Sequence, residues 1–91
     1  MPFTLYQSGI LPGLPDRLVF EQDDITVGDL FRALSQRYGD EALEEALDDA
    51  GGVAEGALVI LNGVIIRPPK VLATKIPPGS ELVISALIAG G

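Results

Sequence analysis

The chain has 91 residues, 47% of them hydrophobic, and a net charge of −7 at pH 7; this is one domain burying a little over ~60% of its unfolded surface, and not a disordered segment. It contains neither His nor Cys, which excludes Ser–His and Cys–His catalysis, thiolate zinc sites and a disulfide framework, and leaves carboxylates, hydroxyls, two lysines or the chain terminus to carry any chemistry. No apolar run approaches the ~20 residues of a membrane span and MPFTLYQSG is no signal peptide, so the expectation is a cytoplasmic protein whose acidity disfavours nucleic acid and favours a basic or neutral protein surface as partner.

Phe3–Tyr6 and Arg17–Glu21, the latter with Leu18 and Phe20 on one face, read as an opening antiparallel hairpin. QSGILPGLPD between them is rich in Gly and Pro and reads as a loop longer than a tight turn. Asp23–Asp24 is turn chemistry ahead of a helix. In ITVGDLFRALSQRYG, Thr26 is the expected N-cap, Asp29 completes an imperfect capping box, and Ile25 and Leu30 have the spacing of a hydrophobic staple. Val27, Leu30, Phe31, Leu34 and Tyr38 share one helical face, and Gly39 stops the helix.

DEALEEALDDAGG predicts a short second helix with Leu43, Ala46, Leu47 and Ala50 on its apolar side. Its acidic side, Glu41, Glu44, Glu45, Asp48 and Asp49, places carboxylates at i, i+3 and i+4, a spacing open to a metal or general-acid site, but a solvated face is the better reading. ALVILNGVIIR is a second hairpin on Asn62–Gly63, the preferred pair for a type I′ turn, and the continuous run LVIL predicts a strand buried on both faces. Pro68 and Pro69 end the return strand, and Lys70 and Lys75 lack the GxxxxGK context of a phosphate loop. A Pro78–Gly79 turn then leads to a last strand from Glu81 to about Leu87. In it either Val83, Ser85 and Leu87 or Leu82, Ile84 and Ala86 form the core set, and the other set is open to a partner. One main helix, a short second helix and a mixed four- to five-stranded sheet make an α+β, β-grasp arrangement.

The order of these elements, with TVGDLFRAL, VILNGVII and IPPGSELVISALIAGG, resembles the MoaD/ThiS-type sulfur carrier family, whose members are ubiquitin-like. The resemblance spans nearly the whole chain and divides it into a β-grasp domain over 1–87 and a flexible diglycine tail over 88–91. It implies a protein cosubstrate with no catalysis of its own. An adenylating (ubiquitin-activating-type) enzyme would use ATP to adenylate the carboxylate of Gly91, and a sulfur donor would convert the product to a thiocarboxylate. An acceptor synthase subunit would receive the sulfur, in molybdopterin or thiamine biosynthesis or in tRNA thiolation. Leu87, Ile88, Ala89 and Gly90 would be the tail and partner-binding residues, with no bound cofactor and no metal.

Glycines suit that tail because they let the backbone lie in a slot too narrow for side chains. Extended, Ile88–Gly91 spans about 14 Å at roughly 3.4 Å per residue. LIAGG departs from the PPV.GG ending of molybdopterin-type carriers, and Ser80 stands where the family pattern has Asp, so the pathway stays open. A ubiquitin-like modifier joined to other proteins through Gly91, and a plain β-grasp interaction domain, are the competing readings.

Overall fold

A computed structural model describes residues 2–11, 13–22, 24–44, 46–47, 56–67 and 70–86. In chain order these form β1 (Phe3–Ser8), β2 (Arg17–Phe20), α1 (Val27–Tyr38), a 3₁₀ turn (Asp40–Leu43), β3 (Ala57–Leu61), β4 (Val64–Ile66) and β5 (Glu81–Ala86). The five strands make one sheet in the order β2-β1-β5-β3-β4. β1 and β5 pair in parallel, and each has an antiparallel neighbour on its other side, β2 beside β1 and β3 beside β5, with β4 outside β3. With α1 laid over one face, this is the β-grasp, ubiquitin-like fold.

Alternation decides which side chains α1 covers. Phe3 and Leu5 of β1, Leu82 and Ile84 of β5, and Val59 and Leu61 of β3 are buried, and they join Val27, Leu30, Phe31 and Leu34 of α1 in one core. Phe20 stacks on Phe3 at 5.2 Å between ring centroids.

The start of α1 is accounted for donor by donor. Thr26 Oγ1 accepts from the Asp29 N–H at 3.1 Å, and Asp29 Oδ2 accepts from the Thr26 N–H at 3.0 Å, so Asp29 does complete the capping box. The Val27 and Gly28 N–H groups donate to Thr74 O and Leu72 O, both at 2.9 Å. The segment after β4 is thereby fastened to the helix, and Ile76 N–H to Ile25 O (2.9 Å) continues the seam. At the other end Gly39 takes φ 91° and its N–H bonds back to Ser35 O.

Two expectations are refined and one, for LVIL, is corrected. The second helix is a 3₁₀ turn, held by i→i+3 bonds such as Ala42 N–H to Gly39 O and Ala46 N–H to Leu43 O. Carboxylates at i, i+3 and i+4 repel one another on a helix, and so short a helix has little stability of its own. Burial of Ala42, Leu43 and Ala46 in the core sets the path instead; Ala50 lies outside the described residues. LVIL is covered on one face only: Val59 and Leu61 are buried, while Leu58 and Ile60 are half-buried, because among the described residues no helix lies over the other face.

The β1–β2 loop, third, is more than a connection, for it adds Ile10, Leu11 and Leu14 to the core. Gln7, itself buried, donates to Leu14 O (3.0 Å) and accepts from the Leu11 N–H (3.2 Å), which satisfies loop groups that water cannot reach.

Two measurements test this account. A Cβ on Gly28 would sit 3.0 Å from Leu72 O, so Gly28→Val should destabilise the fold by about 1–3 kcal/mol in urea unfolding. The bonds from Thr26 hold the Asp29 carboxyl below its ordinary value, with Arg32 adding a smaller push the same way. A lowered folded-state value means that the unfolded chain takes up protons first as the solution is acidified. Stability supplied by Asp29 is therefore complete above about pH 4, the unfolded value, and is lost as pH falls through the lower folded value. Asp29→Asn should flatten that acid limb of the stability curve.

Candidate functional site

β5 is the last of the described strands, and its register settles which of its faces is buried. Leu82 lies opposite Leu5 and Leu61, and Ile84 opposite Gln7 and Val59, all on the side facing α1. Val83 and Ser85 therefore belong to the other face and are half-buried. The alternative left open by the sequence is resolved in favour of the set with Leu82 and Ile84, although Ala86, at the end of the strand, is exposed.

Across the open face the registers join into a row. Arg17 lies opposite Tyr6, Tyr6 opposite Val83, Val83 opposite Ile60, and Ile60 opposite Ile65. One step toward the exit end of β5, Leu58 pairs with Ser85. The interior of this row is apolar, and Ile65 is 47% exposed at the edge strand. A contiguous apolar surface of this kind on a small chain is a candidate interaction surface. Sequence alone did not single out Tyr6, Ile60 or Ile65, because the row exists only once β1, β5, β3 and β4 are set in order. The Asn62–Gly63 turn could have given one link, since a two-residue hairpin fixes Ile60 opposite Ile65.

The entrance to β5 is clamped by polar groups. Asn62, at φ 50°, does more than form its turn. Its side chain accepts from the Glu81 N–H (2.9 Å) and donates to Ser80 Oγ (3.2 Å), and its own N–H donates to Glu81 O (2.8 Å). Ser80, 4% exposed, passes its hydroxyl proton on to Pro77 O at 2.6 Å. This explains the residue found where the resemblance has Asp: the site needs a group that accepts from Asn62 and donates to a carbonyl. An ionised carboxylate can only accept.

The residues singled out for chemistry are placed as follows. Leu87, Ile88, Ala89, Gly90 and Gly91 lie outside the described residues. Glu41 and Glu44 are exposed on the 3₁₀ turn, whereas Asp23, Glu45, Asp48 and Asp49 are outside the described residues. Among the described residues no three acidic side chains gather to hold a metal ion. Lys75 pairs with Asp24 at 3.2 Å. The first N–H groups of α1 are occupied by backbone carbonyls and its cap, so the helix start offers no free phosphate cradle. No described helix is long and apolar enough to cross a membrane.

Comparison with known proteins agrees with this geometry. A family model described as the ThiS family matches residues 9–91, and the chain belongs to that family. Among solved structures, SAMP1 from Haloferax volcanii is similar at 23% identity and a TM-score of 0.73, with both chains covered over 100%. The HVO 2177 protein of the same organism is similar at 26% identity and a TM-score of 0.74, covering 100% of this chain and 87% of its own. The small archaeal modifier protein 1 of Methanosarcina acetivorans follows at 19% identity and a TM-score of 0.68, over 99% and 96% of the two chains. No curated protein matches in sequence.

If the clamp reads correctly, Ser80→Ala should cost about 1–2 kcal/mol by leaving the Asn62 amide without its partner. Ser80→Asp should cost more than Ser80→Ala, through a carboxylate set against Pro77 O. Chemical denaturation of the two variants at pH 7 ranks them.

Proposed function

We propose that this member of the ThiS family is a sulfur carrier protein that works as a cosubstrate through the carboxylate of Gly91. The reading is carried by one observation: the family match runs to residue 91, through a strand that sits at the centre of the sheet and hands the chain on from Ala86. A body held by two neighbouring strands on either side of β5 gives a fixed base. A tail of Leu87, Ile88, Ala89, Gly90 and Gly91 then reaches a partner's active site without a side chain to obstruct it near its end.

A carboxylate resists sulfur nucleophiles because its oxygen is a poor leaving group. In the proposed cycle a terminal oxygen of Gly91 attacks the α-phosphorus of ATP on an adenylating enzyme, and pyrophosphate leaves. A hydrosulfide-equivalent donor then attacks the acyl carbon, AMP leaves, and the sulfur remains as a thiocarboxylate. The acceptor, in molybdopterin-, thiamine- or tRNA-directed chemistry, takes that sulfur, and water supplies the oxygen that restores the carboxylate at the acyl carbon. The absence of His and Cys fits a chain that stores sulfur on its terminus and leaves catalysis to its partners. A second reading is favoured by the solved structures titled small archaeal modifier protein: the same adenylate would end as an amide on a lysine of another protein.

The test is adenylation by the host's activating enzyme, with wild type, Gly90→Val and a one-alanine extension. The extension displaces the carboxylate by about 3.5 Å, where ~1 Å of misplacement costs about a hundredfold in rate. Both variants should fold normally and fail to be adenylated; full activity of the extended protein would refute the mechanism. Intact mass from the native host distinguishes the two fates: a gain of about 16 Da, sulfur for oxygen at the acyl group, marks a carrier. Adducts of other proteins bearing this chain mark a modifier.

A further inference from the structure

Asn62 is the one asparagine of the chain, and a glycine follows it. The pair forms the β3–β4 turn because both positions need positive φ, and they take 50° and 82°. The same pair is chemically labile. The backbone nitrogen of the next residue can attack an asparagine side-chain carbonyl, and glycine has no side chain to hinder the approach. A Cβ built on Gly63 meets nothing within 4 Å, so the neighbourhood supplies no shield either.

Geometry opposes the reaction. Attack closes a five-membered ring through the Gly63 nitrogen and C, Cα, Cβ and Cγ of Asn62. Cβ and the Gly63 nitrogen must therefore stand on the same side of the Cα–C bond. In the left-handed region ψ is about +30 to +60°, which sets those two atoms roughly 150–180° apart about that bond. The side chain is held as well: Oδ1 accepts from the Glu81 N–H at 2.9 Å, and Nδ2 donates to Ser80 Oγ at 3.2 Å. The Glu81 N–H polarises the Asn62 side-chain carbonyl and, taken alone, favours attack. A nitrogen that cannot reach the carbon gains nothing from that. Ser80 is 4% exposed and is anchored in turn on Pro77 O, so the clamp does not hang on a mobile surface group.

We propose that Asn62–Gly63 is a deamidation site held closed by its clamp to Ser80 and Glu81, and that the folded chain reacts only when this clamp opens locally. The Gly63 nitrogen then bonds to Asn62 Cγ while the Cγ–Nδ2 bond breaks. Its proton passes to the departing nitrogen, which leaves as ammonia. Water opens the resulting succinimide at either carbonyl. One product carries an aspartate at position 62, whose ionised carboxylate still accepts from the Glu81 N–H but has no proton to give Ser80 Oγ. The other routes the backbone through the former side chain. That lengthens the turn by one methylene and breaks the two-residue spacing that sets Ile60 opposite Ile65. Both products lose the bond to Ser80, so the clamp does not re-form.

Because the chain holds no second asparagine, exchange of NH2 for OH reads directly in the intact mass. Peptide mapping assigns it to position 62 and separates the aspartyl from the isoaspartyl form. The full chain is incubated in mildly alkaline buffer, folded and in urea. Folded wild type should convert at least about tenfold more slowly than the unfolded chain, the factor that one good hydrogen bond supplies. Ser80→Ala, shown to be folded by its thermal melt, should convert about two- to tenfold faster than folded wild type. Gly28→Val lowers stability and leaves the clamp intact, so it should match wild type within about twofold. Folded wild type converting as fast as the unfolded chain, or Ser80→Ala converting no faster than wild type, would overturn the proposal. Equal acceleration in Gly28→Val would overturn it too, since the reaction would then follow global unfolding. The folded and unfolded wild type decide the first point even where Ser80→Ala fails to fold.

Discussion

Most of what the molecule presents to its surroundings follows from where β5 lies. Its pairing is parallel to β1 on one side and antiparallel to β3 on the other, so both edges of the strand are hydrogen-bonded along its length. A one-residue slip in either ladder would exchange the faces of all six residues, putting Val83 and Ser85 under α1 and Leu82 and Ile84 into water. The two fully buried residues make that slip prohibitive: each is worth about 1.5–3 kcal/mol of apolar burial. The same constraint that builds the core thus fixes which side chains remain outside, and at which point the chain departs. Core and open face are two readings of one register.

That register also shows why some of the structure was legible in the sequence and some was not. Local signals carried the ends of elements. Thr26 with Asp29 named the start of α1, Gly39 its stop, and Asn62–Gly63 a hairpin, because each depends on atoms within a few residues of one another. Tertiary demands decided the rest. Ile10, Leu11 and Leu14 sit in a Gly- and Pro-rich segment with no period, and nothing local says that Gln7 will gather them into the core. The acidic stretch after Gly39 had helical spacing, but like charges and the need to bury Leu43 and Ala46 tightened it into a 3₁₀ turn. LVIL has no polar alternation because its outward residues, Leu58 and Ile60, face the open side of the sheet. A strand that breaks the expected apolar–polar alternation was one visible trace of that surface, beside the alternating sets of the last strand, and it pointed to burial under a second layer instead. Of the proposed chemical site, the tail sequence and its family likeness were legible from the residues; the apolar row on the open face required the strand order.

The polar clamp at the start of β5 and the seam along α1 serve the same strand. Asn62 and Ser80 tie the β3–β4 turn to Glu81, and the bonds from Val27, Gly28 and Ile76 tie the preceding segment to the helix layer. β5 is therefore fixed at its entrance by hydrogen bonds and along its length by ladders. For the proposed cosubstrate a body fixed in this way is useful. Association costs translational and rotational freedom once, through the body, and a delivered terminus then needs only the ordering of a few residues. Glycine makes that ordering expensive per residue, yet it removes the steric barrier to a narrow active site.

The net charge bears on a problem created by the apolar face itself. A row such as Tyr6, Val83, Ile60 and Ile65 could pair with the same row on a second copy, since a surface that accepts one apolar partner accepts another. Charge opposes this before contact is made. Each copy carries a net charge of −7, a repulsion that weakens only as salt shortens the Debye length. The acidity of the whole chain therefore works against self-pairing of a face whose apolar row would favour it, and a partner of lower or opposite charge escapes that cost.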